Sequence, residues 1–293
     1  MAPIPIILDT DIGSDIDDAV ALAYLLSHDD CELLGITTVS GQADLRAEMA
    51  SAMCIHVGRD DIPVHSGADR PLLIDSLQGQ APQAEALGDR PRRRDFLPAT
   101  AVEFLRRTIR ARPDEVTLLA IGPLTNVAVL FACDPEIPTL LKQLVLRGGC
   151  FFGPRAEWNL RCDPHAAAIV YGQGSQACPQ RHVSFGLDVT TQCTLQADAY
   201  RSRFVAKVLE PVRDFAEVFF ARRPAITFHD PLAAACVFQP DICGYKSGGV
   251  QVSVTAPTAG VSVFHESADA PRHTVACEVD SKRFFGHYFD IVK

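Results

Sequence analysis

The sequence predicts an α/β protein with an open, mostly parallel, Rossmann-like sheet that carries helices on both faces. Short β-rich segments alternate with longer helical segments through the first two-thirds of the chain, which is typical of repeated β-α units. Strand segments such as VTLLAI at 116–121 are apolar without alternation, as burial on both faces of a parallel sheet requires. These two observations together predict the fold class.

The β-α units follow one another along the chain, each with an apolar strand segment and a helical segment. They are PIIL (5–8) with DDAVALAYLLS (17–27), CELLGITTV (31–39) with ADLRAEMASAMCIHVG (43–58), EVTLLAIG (115–122) with TNVAVLFAC (125–133), and then LKQLVLRGG (141–149), PHAAAIVYG (164–172) and HVSFGLDV (182–189). In such a sheet ligands bind beyond the carboxyl ends of the strands, so we expect a functional site at that edge.

Three further segments complete the predicted organisation. Residues 76–98 mix Gly, Pro, Gln and charge without periodicity, which predicts a long loop of the kind that often forms a functional lid. Residues 197–222 have a helical pattern. The segment GVQVSVTAPTAGVSVF at 249–264 predicts a pair of late strands in a hairpin.

The composition indicates an ordinary globular protein that can bury a sizeable core. Its 293 residues, 47% of them hydrophobic, predict a single domain over residues 1–293. The net charge of -9 argues against nucleic acid or an anionic membrane as a partner, because both require a basic surface. The ten cysteines form no C-x-x-C pair and are predicted to be reduced, buried side chains. Since no leader or membrane-length apolar stretch is visible, we expect a cytoplasmic protein.

The segment ILDTDIGSDIDDAVALAYLL at 7–26 concentrates carboxylates where a strand passes into a helix. One aspartate can cap the helix and another can favour its dipole, but these roles do not account for all of them. Crowded carboxylates repel one another unless a cation neutralises them, and an all-oxygen ligand set selects Ca²⁺ or Mg²⁺ over zinc. The cluster therefore predicts a metal site, and its members are Asp9, Asp11, Asp15, Asp17 and Asp18.

Three other segments supply groups that suit the same site. AIGPLTNVA (120–128) ends a strand in a Gly-Pro turn, where a backbone carbonyl is free to bind a metal. AEWNLRCDPHAAA (156–168) carries an acid and an amide that can bind hydroxyl groups. FHDPLAAA (228–235) places a histidine and an aspartate at a second Asp-Pro helix start. For Asp163, in the first Asp-Pro pair, ordinary N-capping is the preferred interpretation.

Six motifs in this order resemble the inosine-uridine preferring nucleoside hydrolase family over nearly the whole chain. They are DTDIGSDIDDAVAL, ITTVSGQ, GPLTNVA, EWNLRCDPHAA, GLDVTTQ and HDPLAAA. The resemblance implies the nucleoside hydrolase fold and a calcium-dependent hydrolase that cleaves the N-glycosidic bond of ribonucleosides to ribose and free base. It also implies a role in nucleoside salvage and assembly as a homodimer or homotetramer.

The resemblance implies a Ca²⁺ site with four ligands from this chain. Asp11 matches a residue that touches the metal and acts as general base on a metal-bound water. Asp18 matches the bidentate ligand, and Asp230 matches the last protein ligand. Ile121 falls where the family uses a threonine carbonyl, and a main-chain oxygen tolerates that replacement.

The resemblance also implies substrate contacts. Asp17 matches the carboxylate that binds the ribose 2′-hydroxyl, and Glu157 and Asn159 match the pair that holds the ribose hydroxyls. His229 matches the histidine near the leaving base. With a pKa near its ordinary value, we expect His229 to protonate or hydrogen-bond the departing base.

Departures from the family pattern cluster around the substrate. The aspartate motif is two residues longer, so Asp15 is an alternative to Asp17 for the 2′-hydroxyl. Gln42 stands where asparagine is usual, and it is expected to contact substrate. The loop from 149 to 157 is shorter, and 76–98 lacks the base-side histidine-glycine motif.

Arg147 replaces an apolar residue that packs on the ribose. A positive charge and a planar donor fork in the pocket would favour a substrate with an acceptor or an anionic group. The alternative is that Arg147 pairs with a nearby acid such as Glu157, because arginine is seldom buried unpaired.

Two other functions remain open at this point. The ILDTD opening also resembles the aspartyl-nucleophile phosphatases, but the lysines, at 142, 207, 246, 282 and 293, do not stand in a strand-end context that fits this chemistry. A non-catalytic calcium-binding or ribose-binding protein would explain the aspartates. An EF-hand loop beginning at Asp9 would need glutamate where the chain has Val20, which argues against that form of calcium site.

Overall fold

The computed structural model describes residues 2–174, 181–267 and 272–293, and it confirms the predicted fold class. Strands and helices alternate through the first two-thirds of the chain. The strands are β1 (Ile4–Thr10), β2 (Cys31–Thr38), β3 (Val64–Ser66), β4 (Thr117–Ala120), β5 (Gln143–Arg147), β6 (His182–Phe185), β7 (Thr194–Gln196), β8 (Ala225–Thr227), β9 (Cys243–Val252), β10 (Ser262–Glu266) and β11 (His273–Val279).

The helices cover both faces of the main sheet. They are α1 (Asp17–Ser27), α2 (Ala43–His56), α3 (Ala101–Ala111), α4 (Thr125–Cys133), α5 (Ile137–Leu140), α6 (Trp158–Cys162), α7 (Pro164–Gly174), α8 (Leu187–Thr190), α9 (Ala197–Arg203), α10 (Glu210–Phe220), α11 (His229–Phe238) and α12 (Ser281–Ile291). Short 3₁₀ helices cover Pro82–Leu87, Lys207–Leu209 and Pro240–Ile242.

Within the described residues, nine strands form one sheet in the order β10-β9-β11-β6-β5-β4-β1-β2-β3, and β7 pairs with β8 separately. Strands β1 to β6 are parallel to their neighbours, whereas β9 is antiparallel to both β10 and β11. From β1 the chain first builds outward to β2 and β3 and then returns to β4 on the other side. The strand order therefore reverses between β1 and β4, and such a switch point opens a crevice at the carboxyl ends.

Alternate residues of β1 show how the core is divided. Ile6 and Leu8 pack into a cluster with α1, α2 and α11, whereas Ile7 packs into a second cluster with α3 and α4. All three side chains are fully buried. A strand that buries both faces has no reason to alternate apolar and polar residues, which is why the pattern at 5–8 predicted it correctly.

Some sequence expectations need refinement. The 76–98 loop contains the 3₁₀ helix Pro82–Leu87, and the helical region 197–222 is divided into α9, a 3₁₀ turn and α10. The segment predicted as a strand at 182–189 ends at Phe185, because residues 187–190 turn into α8. The late strands at 249–264 are confirmed as the antiparallel pair β9 and β10. The single domain over 1–293 stays a prediction.

The described cysteines are mostly buried and none forms a disulfide with another described cysteine. The buried thiols are Cys54, Cys150, Cys162, Cys193, Cys236 and Cys243, while Cys133 is exposed. Cys178 lies outside the described residues. In the described ranges, the helices are all too short or too polar to cross a membrane.

Candidate active site

A cavity of about 630 Å³ opens at the carboxyl edge of the sheet, at the switch point beside β1. Its floor comes from the loop after β1, the first turn of α1, the end of β4 and the start of α11. Its walls come from the segment before α6, from the 76–98 loop, and from the end of α10 with the turn that follows. Most of the residues singled out from the sequence meet here.

Three buried carboxylates on the floor form what we call the acid cluster: Asp17, Asp18 and Asp230. One carboxylate oxygen from each lies within 4.8 Å of the others, and each residue is at most 3% exposed. Helices α1 and α11 pack against each other, which brings their first turns together. The backbone N–H of Asp230 donates to Asp17 Oδ2 at 3.1 Å, and Thr10 Oγ1 donates to Asp18 Oδ1 at 2.5 Å.

The electrostatics of the acid cluster suit a bound cation. Burial, followed by the charge of Asp15, raises the pKa of Asp17 to about 8. Burial and neighbouring carboxylates also raise the pKa of Asp18 and of Asp230 well above the usual range. Asp230 Oδ1 is buried and accepts no hydrogen bond from the described residues, and its one ion-pair contact within those residues is with Arg147 Nε at 3.3 Å. A divalent cation would offset the repulsion among the three carboxylates, so these residues fit an oxygen-ligated metal.

Asp11 lies beside the acid cluster and faces the cavity. Its charge is one of the causes that raise the pKa of Asp18. The Nε2 group of Gln78 donates a hydrogen bond to Asp11 Oδ2. A Cβ at Gly122 would come within 2.8 Å of Asp11 Oδ1, so the glycine in the AIGP turn leaves room for this carboxylate. Asp11 and the acid cluster thus line the same cavity. Asp11 is not a member of the acid cluster itself, in which Asp17 is the third carboxylate.

The Ile121 carbonyl also lies at the cavity, where it accepts a hydrogen bond from Asn159 Nδ2 at 2.5 Å. Asn159 is buried in α6 and is held there by this bond and by a weaker one to the Arg147 carbonyl at 3.3 Å. Binding of a metal by Ile121 would therefore have to be shared with, or exchanged for, the Asn159 contact.

Arg147 takes the paired arrangement of the two considered from the sequence. Its Nη1 donates to Glu157 Oε1 at 2.5 Å, and its Nε lies 3.3 Å from Asp230 Oδ1. Glu157 is fully buried, and its other oxygen caps α6 by accepting from the Leu160 N–H at 3.1 Å. The guanidinium therefore lines the cavity with its charge already balanced by acids.

His229 lines the cavity at the start of α11 and is half-buried. Its Nδ1 lies 2.7 Å from Thr190 Oγ1, with the hydrogen-bond direction set by the tautomer. Burial, then the charges of Arg147 and Arg155, lower the pKa of His229 well below its usual value. The expectation that this pKa stays near its ordinary value is wrong, because burial, and then the positive charges of the nearby arginines, disfavour a protonated imidazole. A neutral imidazole can still exchange a hydrogen bond with a substrate.

The remaining sequence candidates differ in their relation to the cavity. Gln42 is exposed and does not belong to the described lining of the cavity; its Oε1 accepts from the Ala81 N–H at 2.8 Å and so holds the 76–98 loop. Asp15 reaches the cavity, where its carboxylate accepts from the Ile16 N–H at 2.7 Å. Asp163 caps α7 by accepting from the Ala166 N–H at 3.0 Å, as its motif indicated.

Asp9, the first aspartate of the motif, is a buried residue that anchors the end of β1 next to the site. Its Oδ1 accepts hydrogen bonds from Thr37 Oγ1 at 2.5 Å and from Asn126 Nδ2 at 2.8 Å. Because Asp9 is fully buried, its pKa is raised to about 7. Arg46 is also fully buried and donates to backbone carbonyls of the loop after β1, including those of Asp11 and Ile12. The two residues fix the backbone that carries the acids.

The sequence reasoning missed Gln78 and Trp158. The Trp158 indole N–H donates to Gln78 Oε1 at 2.6 Å, and Gln78 in turn donates to Asp11. Trp158 is 45% exposed at the cavity wall. Its place beside Glu157 and its status as the only tryptophan in the chain were available signals. Nothing in the sequence indicates that Gln78 reaches Asp11, because that contact depends on how the long loop folds.

The chain is similar to known ribonucleoside hydrolases in both sequence and structure. Residues 6–286 match the family described as inosine-uridine preferring nucleoside hydrolase. The chain is 32% identical to uridine nucleosidase 1 of Arabidopsis thaliana over 289 residues, which cover 90% of this chain and 81% of that protein. It is 31% identical to the pyrimidine-specific ribonucleoside hydrolase RihA of Citrobacter koseri over 304 residues, with coverage of 96% and 95%. The solved purine-preferring ribonucleoside hydrolase from Gardnerella vaginalis matches with a TM-score of 0.82 at 25% identity, over 98% of both chains.

Proposed function

Because the chain belongs to the inosine-uridine preferring nucleoside hydrolase family, we propose that its cavity binds a ribonucleoside and one Ca²⁺ and uses Asp11 as the general base. Membership makes the chain an N-glycosyl hydrolase that cleaves ribonucleosides, as its motifs implied. The observation that carries the finer proposal is the meeting of Asp11, the acid cluster and His229 in one cavity.

The metal would be held by the acid cluster, with the Asp11 carboxylate and the Ile121 carbonyl beside it. Burial of three carboxylates within 4.8 Å supports a divalent ion, and an all-oxygen set favours Ca²⁺ or Mg²⁺. When bound, such an ion increases the acidity of water and orients hydroxyl groups. The participation of Asp17 in this cluster leaves Asp15 available for the ribose 2′-hydroxyl, the alternative that the longer motif raised.

Asp11 is the group that accepts the proton of the attacking water. Its carboxylate faces the cavity, and the bond from Gln78 fixes its orientation. General-base catalysis of this kind contributes roughly a hundredfold or more to the rate. The carboxylates around it stabilise the positive charge that develops on the ribose ring as the N-glycosidic bond breaks.

Glu157 and Asn159 hold the ribose hydroxyls in this proposal, and His229 acts at the leaving base. The lowered pKa of His229 leaves a neutral imidazole at neutral pH, which would hydrogen-bond the departing base and is a poor source of a proton. Stabilisation of the leaving group therefore depends on hydrogen bonds and on fixed charges in the cavity wall.

The phosphatase alternative is disfavoured by the position of Asp9. An aspartyl nucleophile must reach its substrate, whereas Asp9 is fully buried and receives hydrogen bonds from Thr37 and Asn126. The cytoplasmic location and the homodimeric or homotetrameric state stay proposals that follow from the family resemblance.

The test is the release of reducing sugar from a panel of purine, pyrimidine and modified ribonucleosides. Chelator-treated protein should be inactive, and Ca²⁺ should restore hydrolysis. Restoration by zinc alone would contradict the calcium assignment, and absence of sugar release from every nucleoside would contradict the hydrolase function.

A further inference from the structure

Four arginines that line the outer part of the cavity have no acidic partner among the described residues. We call them the mouth arginines: Arg155, Arg161, Arg222 and Arg223. All four are exposed, and none takes part in an ion pair or a side-chain hydrogen bond within the described ranges. The chain as a whole has a net charge of -9, so this grouping of uncompensated positive charge runs against the overall composition.

The mouth arginines approach the cavity from two walls. Arg155 and Arg161 belong to the segment that leads into and forms α6, whereas Arg222 and Arg223 follow α10. Arg155 and Arg223 line the same cavity as His229 and Asp15. The positive charges of the mouth arginines and the acidic floor therefore line one cavity, which a single ligand can occupy.

Arg147 does not share this role. Its guanidinium is neutralised by Glu157 and Asp230, with N–O distances of 2.5 and 3.3 Å. A neutral nucleoside would satisfy the floor and leave all four mouth arginines facing water. An anionic group would instead gain charge-assisted, bidentate hydrogen bonds, because the guanidinium fork matches the geometry of phosphate and carboxylate.

We propose that the substrate of this enzyme is a ribonucleoside that carries an anionic group, bound by the mouth arginines while the ribose lies on the acidic floor. The proposal rests on the proposed function and specifies its substrate class. The shared chemistry is a negative charge outside the reacting bond, on either the sugar as a 5′-phosphate or the base as an acidic substituent. The cavity of about 630 Å³ is in the range that ligand sites occupy, roughly 300–1,000 Å³.

The experiment compares kcat/KM of the Ca²⁺-loaded, full-length enzyme on matched pairs. Uridine and inosine are the neutral members; uridine 5′-monophosphate and inosine 5′-monophosphate carry the charge on the sugar; 6-carboxyuridine and xanthosine carry it on the base. We expect at least one anionic member to exceed its neutral counterpart by about tenfold or more, as one added charge-assisted contact allows. The preference should fall as salt is raised from about 0.05 to 0.5 M, since the arginines are exposed.

Variants connect the preference to these residues. The double variant Arg155→Gln with Arg223→Gln should reduce kcat/KM for the preferred anionic substrate about tenfold more than for its neutral counterpart. The matched control is Arg107→Gln, which removes a positive charge from an exposed position on α3 that does not line the cavity. Equal losses on both substrates in the double variant would contradict the proposal.

The panel distinguishes failure of the anionic-substrate inference from failure of the hydrolase function. If uridine or inosine is hydrolysed at least as well as every anionic member, the anionic-substrate inference is overturned and the hydrolase function stands. If no member of the panel is hydrolysed, the proposed function fails and the inference fails with it. The Asp11→Asn variant allows binding to be measured without turnover. Calorimetry compares its dissociation constants for uridine and for uridine 5′-monophosphate, which tests the preference for a 5′-phosphate.

Discussion

Nε of Arg147 lies 3.3 Å from Oδ1 of Asp230, so a fixed positive charge stands next to a carboxylate that we propose as a metal ligand. The same guanidinium binds Glu157, which caps α6 and closes one side of the cavity. Arg147 therefore balances the acidic floor when no cation is present and repels a cation that enters. The positive charge of Arg147 therefore stabilises the metal-free acidic floor and lowers the affinity of the site for a metal ion.

Replacement of Arg147 by methionine should tighten Ca²⁺ binding. The substitution removes a charge that repels the ion and frees Asp230 to coordinate it, and we expect the dissociation constant to fall about tenfold. Isothermal titration of chelator-treated protein measures this, with Arg107→Met on α3 as the control for loss of one exposed charge. Weaker binding in Arg147→Met than in the control would show that Arg147 supports the metal site rather than opposing it.

Gln78 is expected to position Asp11. Its Nε2 donates to the Asp11 carboxylate and its Oε1 accepts from Trp158 at 2.6 Å, so Gln78→Leu removes both bonds. We expect kcat to fall about tenfold, with a smaller change in KM, because the base loses its orientation while the substrate contacts remain. The neighbouring variant Gln80→Leu is the control, since the Gln80 side chain is exposed in the same loop. Similar kcat values for both variants would argue against the positioning role.

The metal-free protein should lose stability as pH rises. The folded-state pKa is raised to about 7 for Asp9 and to about 8 for Asp17. A raised folded pKa means that the folded chain holds these protons more tightly, so the stabilisation is complete below about pH 4 and is lost as pH rises through about 7 to 8. Tm measured in chelator should fall across this range, and added Ca²⁺ should restore it most at the highest pH. A metal-free Tm that rises from pH 5 to 8 would contradict the buried acid cluster.

A second pH effect should come from a histidine pair outside the site. His182 and His273 are buried with ring centroids 4.7 Å apart, and neither ring nitrogen of His182 has a hydrogen-bond partner among the described residues. Burial lowers the pKa of His182 well below its usual value and that of His273 to about 4. The neutral forms thus stabilise the fold fully above about pH 6.5, and this contribution is lost as pH falls toward 4.

The variant His182→Leu isolates that effect. It removes a group that must be neutral in the core, so the difference in Tm between variant and parent should shift in favour of the variant as pH falls from 7 to 5. Thermal melts in matched buffers measure this, and His265→Leu, an exposed position on β10, is the control. A pH-independent difference for His182→Leu would mean that His182 does not titrate in the folded state as described.

The position of the site could be predicted because it depends on local rules. The apolar run before Asp9 and the amphipathic run after Asp18 indicate a strand and a helix, and parallel strands place such junctions at one edge. Asp230 could be added because the HDP motif repeats a helix start. These inferences use patterns among residues that are close in sequence, and such patterns do not depend on how distant parts of the chain pack.

The remaining features depend on distant parts of the chain. Gln78 reaches Asp11, and Arg155 and Arg223 face one cavity, because loops from different elements converge there. The lowered pKa of His229 depends on burial and on neighbouring arginines, which no local motif reports. Gln42, placed at the substrate by family position, has a left-handed backbone with φ of 63°, and its Oε1 accepts from the Ala81 N–H. Its contact with substrate stays a prediction.

The most direct test of the central claim is ribose release by Asp11→Asn beside the parent enzyme, both loaded with Ca²⁺ and supplied with the best substrate of the panel. An amide cannot accept the proton of the attacking water, so we predict that kcat falls by more than roughly a hundredfold while the Tm stays within a few degrees of the parent. Near-normal turnover in Asp11→Asn would contradict the account, since Asp11 would then not be the base, and Asp15 at the same cavity would be the next candidate.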